Sequence, residues 1–177
     1  MGKKIAQLIF FILLIAAASI VQFSWLNVLP SFFGAINLVL IILILTLFFY
    51  DFRSALGAAL IGGFWLDLFS FNFFGYYLIT LFITAILAAW ILNSWLTNRS
   101  VYSFGLLLLL ATIIYNIISG LLSYFSIYEF SEVFWLSGHF WLYLLYQCAW
   151  SELAALLTFN LAAAATKRFQ PFFLEKT

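Results

Sequence analysis

Six apolar runs separated by short polar breaks organise this chain, covering roughly 5–26, 36–50, 55–70, 74–96, 101–122 and 140–165. A membrane-crossing helix needs about 20 predominantly apolar residues, with a working range near 17–25. The second and third runs are short, and only Asp51-Phe52-Arg53-Ser54 lies between them. Together they are too long for one span, so a turn is expected at the Asp51/Arg53 break. The pattern predicts an all-α integral membrane protein, a six-transmembrane-helix bundle forming one membrane domain over residues 1–177.

Polar and small positions inside these runs carry the next level of information. The third run places Ala55, Ala59 and Gly63 at four-residue spacing, with Ala58 and Gly62 beside them. Small residues at this spacing let two helix backbones approach closely. Asp67 continues the same stripe and Ser70 follows three residues later. An Asp near the middle of a spanning helix costs about 3 kcal/mol on insertion scales, so it is expected to face protein or water. A helix this rich in glycine and alanine is a poor span by itself. It is therefore expected at the centre of the bundle.

Composition sharpens the class. Only 7% of the residues are charged and 67% are apolar, against about 25% charged in a soluble domain. No room remains for a soluble domain, and a net charge of +1 implies neither a nucleic acid nor an acidic soluble partner. With six helices, one side of the membrane receives Lys3, Lys4, Arg53, Arg99, Lys167, Arg168 and Lys176, which is every Lys and Arg in the chain. The other side holds Glu129, Glu132 and His139. The positive-inside rule then places both termini in the cytoplasm.

The ends and loops are less distinctive. Lys3-Lys4 followed by an apolar stretch and Ala16-Ala17-Ala18 resembles a signal peptide, but the run continues to Leu26, longer than a usual signal core, so an uncleaved helix is expected. Asn98-Arg99-Ser100 matches the glycosylation triplet by chance, in a tight cytoplasmic turn. Between Ser123 and Gly138 the chain reads either as a short interfacial helix, with Ser126, Glu129 and Glu132 at three-residue spacing, or as an aromatic-rich loop. Pro171 discourages helix in the tail. Cys148 lacks a second thiol and reads as a buried, inert group.

Depth arguments select neighbours for Asp67. At 1.5 Å per residue it lies about 20 Å along from Ser54, in the outer part of the bilayer. Asn116, in a Thr112/Asn116/Gly120 stripe, lies about 22 Å along from Val101. The two are expected to meet, with the amide donating to the carboxylate. Glu152, among Ala149, Ser151, Ala154 and Ala155, enters from the other side and falls about 10 Å deeper than Asp67. It too is expected to face protein, but not to pair with Asp67. The chain carries no glycine-rich phosphate loop, HExxH or serine elbow. His139 reads as an interfacial side chain. No catalytic activity, metal or cofactor is expected.

Around Asp67 the sequence resembles the MreD family of bacterial rod-shape-determining membrane proteins. The resemblance rests on Ala55 to Ser70, above all Gly62-Gly63 and Leu66-Asp67-Leu68-Phe69-Ser70, then Gly75 and Tyr76 after a short turn. Ile36-Asn37-Leu38 stands where the family often opens its second helix with Pro-Asp-Leu. The resemblance spans roughly 36–122, and no proline precedes Gly75 where the family commonly has one. It implies a non-enzymatic scaffold of the cell-elongation machinery in the bacterial cytoplasmic (inner) membrane. Such a protein binds the bitopic protein MreC within the lipid bilayer and connects indirectly to the MreB filament and the peptidoglycan synthases. The resemblance also implies a fold like that of the S components of energy-coupling-factor transporters.

Two other classes follow from the same residues. An S component would bind a vitamin in a pocket open to the outside, lined by Asp67 and Asn116. An ion-coupled carrier would titrate Asp67, although no internal repeat is visible. Under the scaffold reading, Ala55, Ala59, Gly62, Gly63, Asp67, Ser70 and Gly75 pack helices or shape a groove for a partner, and Asn116 and Glu152 are intramembrane polar partners.

Overall fold

The computed structural model describes residues 2–26, 36–70, 72–96, 100–126 and 138–166. Among them the chain is helical, in six elements. They are α1 (Gly2–Val21, continued by a π-helical turn Gln22–Leu26), α2 (Leu38–Phe49), α3 (Phe52–Phe69), α4 (Tyr76–Ser94), α5 (Val101–Ser126) and α6 (Gly138–Thr166). Three of them, α3, α4 and the Val101–Ser123 part of α5, are long and apolar enough to cross a membrane. This is a membrane protein. The segment holding Glu129 and Glu132, the tail with Pro171 and the side chain of His139 lie outside the described residues.

The observed boundaries follow local chemistry rather than the ends of the apolar runs. Asn37 caps α2, its side-chain oxygen accepting the Leu40 N–H at 3.0 Å. A second side chain serves the same end, because Gln22 Oε1 on the π-helical turn accepts the Val39 N–H at 3.1 Å. Helix ends leave their first N–H groups without intrahelical partners, and here a neighbouring helix supplies the missing acceptor. Gly75 precedes α4 with φ +101, a left-handed conformation that glycine adopts without a Cβ clash.

The expectation that the small-residue helix occupies the centre needs correction. That place belongs to α2, which packs against all five other helices. Nine of its twelve residues are buried, and its Phe48 ring meets Phe104 of α5 edge-on at 5.3 Å. At 1.5 Å per residue α2 is only about 18 Å long, so it is enclosed by protein rather than stretched across the bundle. Helix α3 packs against α1, α2 and α4 but leaves Leu60, Phe64 and Leu68 exposed, an apolar stripe at four-residue spacing. A nearly continuous set of apolar side chains is what buries α2, whereas α3 uses its missing side chains to approach its neighbours closely.

Buried hydroxyls are satisfied within their own helices. Ser19, Thr46, Thr80, Thr84 and Thr112 each donate to the carbonyl four residues earlier, at 2.7–2.9 Å. This back-bonding lets an apolar bundle contain polar side chains without unmet donors.

Candidate functional site

The adjacent glycines of α3, Gly62 and Gly63, face different neighbours. A Cβ on Gly62 would meet Val39 Cγ1 of α2 at 2.5 Å and Ile15 Cγ2 of α1 at 3.4 Å. One on Gly63 would sit 2.5 Å from Leu78 Cα and 2.9 Å from Leu78 N, both backbone atoms of α4. Successive residues on a helix point about 100° apart, so one Gly-Gly pair serves two interfaces. Ala55 and Ala59 are wholly buried and Ala58 nearly so. The small-residue face is thus filled within the chain.

Gly63 brings α3 against the first turn of α4, and one turn further along Asp67 uses that closeness. Its Oδ1 accepts the Tyr77 N–H at 2.8 Å. Its Oδ2 accepts the N–H groups of Gly75 at 3.1 Å and Leu78 at 3.2 Å. These are the unpaired amides at the start of α4, and Tyr76 N–H bonds instead to Phe73 C=O. Asp67 is only 5% exposed, and its negative charge lies where the α4 dipole is positive. A cap usually comes from the residue before a helix; here it comes from the neighbouring helix. Gly75 contributes no side chain and, with its left-handed φ, aims its own N–H at the carboxylate.

The expected Asp67–Asn116 pair is not formed. Asn116 Nδ2 donates to Gln147 Oε1 of α6 and to the Thr112 carbonyl, both at 2.7 Å. Depth matching was a necessary condition for contact, but α4 stands beside α3 and takes the carboxylate first. Ser70 Oγ donates to the Asp67 carbonyl at 3.3 Å, closing the end of α3 rather than touching the carboxylate. Glu152 lies against Gly105 of α5, where a Cβ would come within 2.9 Å of Glu152 Oε2. It neighbours α5, far from the Asp67 cap in sequence and packing.

Gln147 escaped the sequence reading. It is 2% exposed, as is Ser151 one turn later, and that four-residue polar spacing was the available signal. Cross-helix side-chain hydrogen bonds in membranes average about 0.6 kcal/mol and reach about 1.7. Gln147→Leu should therefore lower the melting temperature of the purified protein by a few degrees at most. A large collapse in a thermal-denaturation assay would show that the α5–α6 contact depends on this pair.

Rings surround the Asp67 corner. Phe23 of the π-helical turn approaches Phe69 at 6.3 Å and Tyr77 at 6.4 Å, and Trp65 stacks on Phe69 at 6.0 Å. Beside this corner a cavity of about 170 Å³ opens between α4, α5 and α6. Tyr76 and Tyr77 line it from α4, Asn116, Ser119 and Ser123 from α5, and Tyr143 from α6. Asp67 is not among its lining residues. Comparison with protein-family models, curated proteins and solved structures returns no match.

Proposed function

We propose that this protein is a non-enzymatic scaffold of the MreD type, a six-span protein of the bacterial cytoplasmic membrane that holds an MreC-like bitopic partner for the cell-elongation machinery. One observation carries the proposal: the Asp67 carboxylate is committed to three backbone amides of α4. A carboxylate so engaged is an architectural element, whereas catalysis or ion transport needs a group free to exchange protons or ligands. The small stripe of α3 is likewise taken up by α1, α2 and α4. The outward faces of the bundle, such as Leu60, Phe64 and Leu68, are left for lipid and for a partner helix.

The vitamin-binding alternative has less support. Pockets for drug-sized ligands run from about 300 to 1,000 Å³, and the cavity here is about 170 Å³. Asp67, expected in such a pocket, lies outside it. Co-expression of the full chain with an MreC-type protein, followed by purification through a tag on either one, tests the scaffold role. A stable complex that survives detergent extraction is expected. Recovery of each protein alone, with normal cell shape after deletion of this chain's gene, would overturn it.

A further inference from the structure

We propose that the cavity between α4, α5 and α6 binds an uncharged hydroxylated six-membered ring, the pyranose ring of a glycoside. The α5 wall presents Asn116, Ser119, Gly120 and Ser123, the i, i+3, i+4 and i+7 positions of one helix face. The rings of Tyr76 and Tyr77 from α4, Tyr115 from α5 and Tyr143 from α6 complete the lining. The site therefore combines aromatic faces with a row of neutral hydrogen-bonding groups. No charged residue is among the described residues that line it, so an ionic ligand would lose its hydration without a counter-charge.

The polar wall is held in place before any ligand arrives. Tyr76 Oη lies 2.9 Å from the Ser119 carbonyl and 2.9 Å from Ser123 Oγ. A carbonyl only accepts, so the phenolic proton goes to Ser119 and the Ser123 hydroxyl donates to Tyr76. Asn116 is fixed by Gln147 and the Thr112 carbonyl. Ser119 Oγ donates to the Asn116 carbonyl at 3.1 Å, which leaves its lone pairs as acceptors. Tyr143 contributes a further hydroxyl-bearing ring to the lining. Groups fixed in this way bind without a further ordering cost.

Size selects a single ring. A cavity of about 170 Å³ lies below the roughly 300–1,000 Å³ of pockets for drug-sized ligands. That favours one substituted six-membered ring over a larger fused-ring vitamin. A pyranose suits the lining because its C–H face can lie on a tyrosine ring while its hydroxyls meet the α5 wall. A free sugar and the head of a membrane glycolipid present the same ring, and the chemistry of the cavity is the same for both.

The proposal stands apart from the scaffold role, since loss of a partner leaves the cavity intact. The test is a saturation-transfer NMR titration of the full chain in phospholipid nanodiscs, prepared without sugar-headed detergents. Methyl β-D-glucopyranoside and submicellar octyl β-D-glucopyranoside are the probes, with phenol and tetramethylammonium as comparators. Saturable binding of a glycoside is expected, weakened about tenfold or more by Ser119→Leu at unchanged melting temperature. Preference for the octyl glycoside would identify a lipid-borne ring, and equal affinity a free one. If Ser119→Leu does not fold, Tyr143→Phe replaces it, and weaker binding is again the supporting result. No saturable binding of either glycoside, binding unaffected by the variant, or binding of the comparators alone would overturn the proposal.

Discussion

Gly63→Ala should unfold this protein at a markedly lower temperature, by on the order of 10 °C, although it adds only one methyl group. Its Cβ would lie 2.5 Å from Leu78 Cα and 2.9 Å from Leu78 N. Those are backbone atoms of α4 and have no rotamer into which to move. Relief requires α3 and α4 to part, and overpacking of this kind costs about 1–3 kcal/mol before any other contact is lost. Parting the helices also stretches the Asp67 hydrogen bonds one turn away, which raises the total to about 3 kcal/mol or more, roughly 2–4 °C each for a chain of this size. Gly57 provides the control, because nothing lies within 4 Å of a Cβ there. Gly57→Ala should be neutral or stabilise by up to about 1 kcal/mol through helix propensity. The half-buried Cys148, the sole cysteine, permits a thiol-reactive dye to follow unfolding in detergent. Equal melting temperatures for the two alanine variants would refute the close-approach explanation.

Asp67→Ala should be the second severe lesion, destabilising by about 3–5 kcal/mol. Three amides at the start of α4 lose their only side-chain acceptor, and each buried unsatisfied donor costs about 1–3 kcal/mol. Part of that sum is recovered if water reaches the helix end, so the total stays below simple addition. Asp67→Asn should fall between alanine and wild type. Its carbonyl oxygen still accepts, but its NH2 group would face an amide N–H, and the favourable charge at the helix terminus is gone. A double-mutant cycle distinguishes this mechanism from generic damage. Because Gly63→Ala already displaces the cap, the combined Gly63→Ala/Asp67→Ala variant should lose less stability than the two single losses added. Strict additivity in thermal denaturation would show that the close approach and the cap are independent.

Local signals carried much of the fold. Run length and apolarity indicated helices near every one now described, with ends displaced by a few residues where Asn37 or Gly75 sets the start. The burial of Asp67 and of the alanine–glycine stripe also followed from residue type, since an acid and a smooth face are poorly suited to lipid. The location of the centre did not follow. Leu38–Phe49 looks locally like any apolar run, and only its enclosure by five helices distinguishes it. Gln147 was obscured in the same way, because one amide in an apolar segment has no marked partner until α5 and α6 are placed side by side.

By itself the sequence determined that this is a helical membrane protein, that α3 makes a close contact, and that Asp67 must be turned inward. Those properties depend on the solvation of individual side chains and on spacing along one helix, both of which are local. Only the tertiary structure decided what Asp67 holds. Its acceptors meet backbone N–H groups, which every residue except proline carries, so no side-chain pattern identifies the recipient. Likewise, the difference between Gly62 and Gly63 is a direction around the helix axis, and it acquires meaning only once α2 and α4 occupy the two sides.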